Sequence, residues 1–213
     1  MWRQGQWMNL GPIPLSLRAP HPPCICIKLM RVFLAVELDS RIRGRLEGLE
    51  RELRPLARLR WVRPEGLHLT LRFFGEVSAE GVESLAASLS ESFAGLPAFA
   101  LDFRGCGVFP DRGDPRVLWV GVPTPNAALF ELQSRAEAVA RALGFAPERR
   151  RFEPHLTVAR FRGPERRIDS ILSSCRDRDF GRTEIEEAVL FESRLSPAGS
   201  SYERLRVYPL SRA

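Results

Sequence analysis

The residues with the clearest chemical potential in this chain occur in two matching segments. The chain of 213 residues has three histidines, and two of them begin the segments 68–71 (His-Leu-Thr-Leu) and 155–158 (His-Leu-Thr-Val). Average residue usage predicts that a histidine is followed by Leu-Thr-apolar only about once in 10³ cases. On a β-strand, alternation puts each histidine and threonine on one face and the two apolar residues on the other. Two histidines that face one reacting atom would form an acid/base pair.

Other kinds of chemistry fit these segments less well. A lone histidine in a strand is usually structural, but repetition of the whole segment favours a site. Zinc needs at least three protein ligands, and no third ligand has a matching spacing, so we expect neither a metal nor a cofactor. The sequence also lacks a G-x-S-x-G turn, a P-loop and a dinucleotide-binding fingerprint.

What fits is metal-free acid/base chemistry at phosphorus. One imidazole would accept a proton from an attacking water, and the other would donate a proton to the leaving oxygen. Histidine titrates near neutral pH, so each role needs only a small shift of its pKa. The hydroxyls of Thr70 and Thr157 could donate hydrogen bonds to the nonbridging phosphate oxygens, and arginine could neutralise the developing charge. His21 has no threonine partner and is assigned no role.

Composition favours a polyanionic partner. The net charge is +6, the sequence pI is about 9.9, and Lys28 is the only lysine among 32 basic residues. Arginine binds phosphate bidentately and stacks on bases, which suits RNA; biased base composition in the genome or adaptation to heat explains the arginines equally well. The four cysteines are scattered, which favours a reducing cytoplasm. No apolar run is long enough to cross a bilayer, so no membrane partner is expected.

The chain changes character at Met30. Residues 1–29 are rich in proline and lack clear periodicity, and we expect them to be a loosely ordered or non-native extension. Residues 30–213 are expected to form a single domain. Period-two and helical patterns predict strands over 31–36, 61–62, 67–74, 98–103, 107–109, 116–122, 152–161, 186–195 and 202–207, and helices over 39–59, 78–93, 124–144 and 164–175.

A coarse internal repeat predicts the architecture. Each half has a strand, a helix and then the His-x-Thr strand, with a proline shortly before the histidine, and both motifs are followed by Arg-Phe at 72–73 and 160–161. The sequence therefore predicts an α+β fold with two pseudo-symmetric lobes. Each lobe would have mostly antiparallel sheet with outer helices, and the two lobes would enclose a central cleft.

The ordered set of segments resembles a known family. It is similar to the two-histidine phosphoesterases, and specifically to the bacterial and archaeal RNA 2′,3′-cyclic phosphodiesterases once called 2′-5′ RNA ligases. The resemblance covers nearly all of the chain from Met30 onward and includes residues 30–36, 61–71, 107–110, 116–122, 152–160 and 190–196. It implies a bilobal α+β fold with both motifs on the walls of the cleft.

The resemblance also implies an activity and roles for individual residues. The activity would be hydrolysis of RNA 2′,3′-cyclic phosphate ends to 2′-phosphates, with the reverse 2′-5′ joining of RNA halves, such as tRNA halves, left open. By this resemblance, His68 would donate a proton to the departing 3′ oxygen and His155 would accept one from water. The two motifs are nearly identical, so the residues alone do not separate these roles.

The same resemblance makes Thr70 and Thr157 the phosphate-binding residues. Arg160 is the next candidate for charge support, and Arg72 is expected to have a general electrostatic role toward the substrate. Two other functions stay open: an RNA- or nucleotide-binding module without catalysis, and a phosphodiesterase of small cyclic or 2′-5′-linked nucleotides. A monomer is the default expectation.

Overall fold

The structure is a computed structural model that describes residues 28–124, 126–196 and 199–212. Within these residues, nine strands form one mainly antiparallel sheet: β1 (Leu29–Glu37), β2 (Leu59–Trp61), β3 (His68–Ser78), β4 (Phe99–Phe109), β5 (Val117–Gly121), β6 (His155–Phe161), β7 (Asp179–Ile185), β8 (Glu187–Ser196) and β9 (Gly199–Pro209). The strand order is β7-β4-β5-β6-β3-β1-β8-β9, and β2 pairs with β6. The proline-containing segment lies, up to residue 27, outside the described residues.

Four helices are present in the described residues: α1 (Ser40–Leu53), α2 (Ala79–Phe93), α3 (Ala127–Ala142) and α4 (Ile168–Cys175). Three of them begin with a side chain that accepts a hydrogen bond from the backbone of the first turn, and these side chains belong to Asp39, Ser78 and Asn126. Such caps satisfy amide groups that the helix leaves without partners. α1 packs on β7, α4 on β4, α3 on β3, and α2 on β1, β3 and β9.

The sheet has two halves of four strands that meet at one point. Leu69 of β3 pairs with Leu156 of β6 where the halves join. Outward from that pair, one half runs β3-β1-β8-β9 and the other runs β6-β5-β4-β7. The two histidine motifs therefore occupy equivalent positions on either side of the junction, and the prediction of two pseudo-symmetric antiparallel lobes is confirmed.

The two faces of the sheet differ in what covers them. Leu69, Leu71, Leu156 and Val158 point to the helices and belong to the main hydrophobic core, where each is at most 3% exposed. The opposite face carries the two histidines and their threonines, which are only half-buried. We call this opposite side of the sheet the cleft face.

Several predicted boundaries differ from the structure. α1 ends at Leu53, not near residue 59, because Pro55 cannot continue a helix. Asn126, not Thr124, caps α3; Pro125 lies outside the described residues. The two strands predicted over 98–109 are one strand, β4, in which Gly105 adopts a φ of +71°.

Candidate active site

His68 is fixed at the start of β3 by the turn that precedes it. A short 3-10 turn over Pro64–Gly66 leads into the strand. The His68 Nδ1 lies 2.8 Å from the carbonyl oxygen of Gly66. A carbonyl only accepts hydrogen bonds, so Nδ1 carries the proton and donates it. The Nε2 atom is left to act on a ligand.

His155 is held in the same way at the start of β6. Its Nδ1 lies 2.7 Å from the carbonyl oxygen of Glu153, again two residues before the histidine. The two imidazoles therefore share one tautomer, in which the protonated Nδ1 faces the backbone and Nε2 is the working nitrogen. The repeat in sequence is thus a repeat in local hydrogen bonding.

The junction pair determines how the motifs face each other. Because β3 and β6 are antiparallel at Leu69 and Leu156, one further step in each direction places His68 opposite Thr157 and Thr70 opposite His155. The two histidines are then diagonal neighbours, a relationship that puts residues about 7–8 Å apart on one face. Both imidazoles therefore lie on the cleft face, close to the junction of the two halves.

Aromatic rings enclose His68. The ring centroids of Phe33, Tyr202 and Phe191 lie 4.8, 5.1 and 6.3 Å from that of His68. The loss of water around the imidazole lowers the pKa of His68 to about 4; the hydrogen bond to Gly66 opposes this shift, and the nearby Arg43 charge adds to it. In the free protein His68 is therefore neutral at pH 7.

A different aromatic pair supports His155. Phe109 and Trp119 lie 5.0 and 6.5 Å from the His155 ring, measured between centroids. The Trp119 ring lies across Gly107, where an added Cβ would come within 2.0 Å of it. Glycine at position 107 therefore permits the tryptophan to lie flat on the cleft face.

The matching Arg-Phe pairs after the two motifs are not structurally equivalent. Each strand has an irregularity after its threonine: Leu71 has no partner in the register of β3 with β1, and Val158 has none in the register of β6 with β5. Such a bulge shifts the following side chains to the other face. Arg72 comes four residues after His68, whereas Arg160 comes five after His155, so the two arginines point to opposite faces.

Arg72 consequently has a structural role, which corrects the expectation that it supports the substrate. Its side chain is 4% exposed. Its Nε lies 2.7 Å from Glu137 and its Nη1 lies 2.7 Å from Glu148. Further hydrogen bonds reach the carbonyl oxygens of Phe73 and Ala146. The guanidinium ties β3 to the segment after α3, and its donors are directed away from the cleft.

Arg160 is exposed on the cleft face of β6, on the same side as Thr157. It lines a cavity of about 460 Å³ whose other residues include Arg60, Arg63 and Tyr202. Sequence reasoning missed these three residues. Their signal was weak, because Arg60 and Arg63 are two arginines among many in this chain.

The described ranges lack two kinds of structural feature. Among these residues, no group of three or more His, Cys, Asp or Glu side chains is placed to hold a metal ion. In that same part of the chain, no helix is both long and apolar enough to cross a membrane.

Comparisons with known proteins agree with this arrangement. Residues 36–119 and 120–202 each match the family model "LigT like Phosphoesterase", and each matched range contains one His-x-Thr motif. The chain is 34% identical over 184 residues to the RNA 2′,3′-cyclic phosphodiesterase of Methanothermobacter thermautotrophicus, covering 85% of this chain and 99% of the relative. It is 35% identical over 179 residues to the enzyme of the same name from Archaeoglobus fulgidus, covering 84% and 99%.

Solved structures show the same fold. The crystal structure of E. coli LigT complexed with 3′-AMP superposes with a TM-score of 0.74 at 26% identity, covering 86% of this chain and 99% of that one. The crystal structure of the Thermus thermophilus protein TT0787 gives a TM-score of 0.74 at 29% identity, covering 85% and 98%.

A bilobal sheet with one His-x-Thr motif on each side of its junction defines a two-histidine phosphoesterase. The chain belongs to the LigT-like phosphoesterase family, and the predicted family is confirmed.

Proposed function

We propose that this protein hydrolyses the 2′,3′-cyclic phosphodiester ends of RNA to 2′-phosphomonoesters, with His68 and His155 as its acid and base. The observation that carries the proposal is the pairing of Leu69 with Leu156, which brings the two imidazoles onto one face. In each imidazole, Nδ1 donates a hydrogen bond to a backbone carbonyl oxygen. Two relatives at 34% and 35% identity have the name RNA 2′,3′-cyclic phosphodiesterase, which supports this substrate.

The chemistry follows from the two free nitrogens. The Nε2 of His155 accepts a proton from water as the water oxygen attacks phosphorus. The bond between phosphorus and the 3′ oxygen breaks, and the protonated Nε2 of His68 donates its proton to that oxygen. The product is a 2′-phosphomonoester with a free 3′-hydroxyl. One general acid or base typically contributes about 10²–10⁴-fold to the rate.

His68 can act as the acid because the substrate is an anion. Enclosure by aromatic rings lowers the pKa of His68 to about 4 in the free protein. A phosphodiester carries a negative charge, and its approach to Nε2 raises the pKa of that imidazole again. Substrate binding and protonation of His68 are therefore coupled.

Thr70, Thr157 and Arg160 complete the proposed phosphate site. Both threonines share the cleft face with the histidines, and each lies opposite the histidine of the other motif. Their hydroxyls donate to the nonbridging oxygens, and the Arg160 guanidinium offsets the charge that builds up in the transition state. A 5′-hydroxyl in the place of water would give a 2′-5′ linkage by the same proton transfers, so the site also permits ligation.

A turnover assay tests the proposal directly. The wild-type protein, treated with chelator, is given RNA that ends in a 2′,3′-cyclic phosphate, and the 2′-phosphate product is measured. His68→Ala and His155→Ala should each lower kcat by at least about 10²-fold while the thermal midpoint stays near that of wild type. Arg176→Ala, a change at an exposed residue on α4's carboxyl end, is the matched control.

Three outcomes would contradict the proposal. Near-normal turnover by either histidine variant would exclude the acid/base pair, and loss of wild-type activity with chelator would indicate a metal-dependent reaction. RNA binding without any turnover would favour a non-catalytic module.

A further inference from the structure

The cavity beside His68 has a concentration of positive charge, of which the proposed phosphate site uses only Arg160. Its volume is about 460 Å³, and Arg60, Arg63 and Arg160 line it together with one acidic residue, Glu65. The cavity adjoins the proposed active site through Tyr202, which also lines it and whose ring packs edge-on against His68 at 5.1 Å.

Two of these arginines lie opposite each other on neighbouring strands. Arg60 of β2 is the register partner of Arg160 of β6. Like charges opposite one another in an antiparallel pair are destabilising. In the described ranges, neither arginine nor Arg63 forms an ion pair with a carboxylate, whereas Arg72, Arg178 and Arg194 all do. An anion between the Arg60 and Arg160 side chains would relieve this repulsion.

The chemistry of the lining fits a phosphate group. Guanidinium groups bind phosphate oxygens with two parallel hydrogen bonds. Ser200 and Ser201 line the same cavity and add hydroxyl donors.

The position of the cavity indicates which phosphate. Arg160 lies three residues beyond Thr157 on β6, up to about 10 Å along the strand. Arg60, opposite Arg160 on the neighbouring strand, therefore lies farther along the sheet from the two histidines than either threonine does. The next phosphate of a bound RNA strand, on the 5′ side of the terminal nucleoside, can reach the cavity.

We infer that Arg60 and Arg63, next to Arg160, form a second phosphate subsite that binds the internucleotide phosphodiester beside the cyclic end. This inference rests on the proposed function and adds to it a preference for RNA ends over cyclic mononucleotides. Arg60 and Arg63 are then specificity-determining residues, because they contact a part of the substrate that does not react.

The test compares three substrates with a 2′,3′-cyclic end. These are a mononucleotide, a dinucleotide with a normal internal phosphodiester, and the same dinucleotide with an uncharged methylphosphonate linkage. The wild-type kcat/KM should be about 10- to 100-fold higher for the charged dinucleotide than for either of the others. A mononucleotide that carries a 5′-phosphate shows whether any phosphate at that position is sufficient.

The variants locate the effect. The ratio of kcat/KM for the charged dinucleotide to kcat/KM for the mononucleotide should fall toward one in Arg60→Ala, in Arg63→Ala and in the double variant. The control Arg176→Ala should keep the wild-type ratio. The wild-type ratio should also fall as salt is raised, because the contact is electrostatic.

A methylphosphonate dinucleotide that reacts as fast as the charged one would overturn the subsite, and so would an unchanged ratio in the double variant. Either result leaves hydrolysis of the cyclic mononucleotide intact. Absence of that hydrolysis in the wild-type protein would instead contradict the proposed function.

Discussion

Leu69 and Leu156 pair across the junction of β3 and β6, and both side chains are fully buried on the helix side of the sheet. Because strand side chains alternate, the residues on either side of each leucine point to the cleft face. The hydrophobic core therefore sets the position of the two histidines and the two threonines. The apolar residue between each histidine and threonine aligns the motifs, and the polar residues face the cleft.

The enclosure of His68 predicts a coupling between phosphate binding and protonation. The pKa of His68 is about 4 in the free protein, and a bound 2′-phosphomonoester product should raise that pKa by about one unit or more. An NMR titration of the imidazole with and without a 2′-nucleotide measures the shift. The rate profile should be bell-shaped, with apparent pKa values that belong to the pair of histidines. A His68 pKa that does not respond to the nucleotide, or a flat rate profile over about pH 5–9, would contradict the assigned role.

The same enclosure predicts how stability depends on pH. A fully solvated histidine has a pKa of 6.5, and His68 has a pKa of about 4 in the folded protein, so the unfolded chain binds more protons between these values. The contribution of His68 to stability is therefore fully present above pH 6.5 and is lost as the pH falls toward 4. From about pH 7 to pH 5 this loss amounts to about 2 kcal/mol. Urea unfolding of the wild type and of His68→Gln checks this: the variant should lose about 2 kcal/mol less over that range. Equal losses would show that His68 is not the group responsible.

Arg72 and Arg160 should differ sharply when each is replaced. Arg72→Met leaves the partly buried Glu137 paired only with the exposed Arg141 and should cost up to about 3–5 kcal/mol of stability. The fraction of the Arg72→Met protein that folds should have a KM near the wild-type value. Arg160→Met should lower kcat/KM but should not destabilise the fold, because it removes the charge opposite Arg60. Thermal midpoints and steady-state kinetics of both variants distinguish the two roles, and a fall in activity at unchanged stability for Arg72→Met would reverse the assignment.

The sequence predicted the parts of the site that depend on local pattern. The repeated His-x-Thr segments gave the strands, the faces and the pseudo-symmetry, since each depends on alternation within a few residues. The bulges after the threonines had a signal as well: Val158 and Ala159 are consecutive apolar residues that interrupt the alternation. Counting from the histidines would have shown that Arg72 and Arg160 occupy different positions.

Features that depend on long-range pairing were harder to predict. β7 was missed because Gly181 and charged residues interrupt its apolar pattern, and its pairing with β4 is what makes it a strand. The arginine-lined cavity joins residues from β2, β6 and β9, which are far apart in sequence. No local spacing brings Arg60 and Tyr202 together, so only the folded sheet shows that they line one site.

Gly107 offers a test of how His155 is positioned. In Gly107→Ala the new Cβ would lie 2.0 Å from the Trp119 ring, so the ring must move from the cleft face. We expect the free energy of unfolding to fall by about 1–3 kcal/mol, the usual cost of overpacking. We also expect a lower kcat, because Trp119 and Phe109 both pack around His155. Gly163→Ala is the matched control, since an added Cβ there has no neighbour within 4 Å.

The double variant Gly107→Ala with Trp119→Leu should regain stability relative to Gly107→Ala alone, because the clash is removed. Denaturant unfolding of the single variants, the double variant and the wild type gives the coupling energy between positions 107 and 119. A Gly107→Ala protein with wild-type stability and wild-type kcat would show that the tryptophan does not position the histidine.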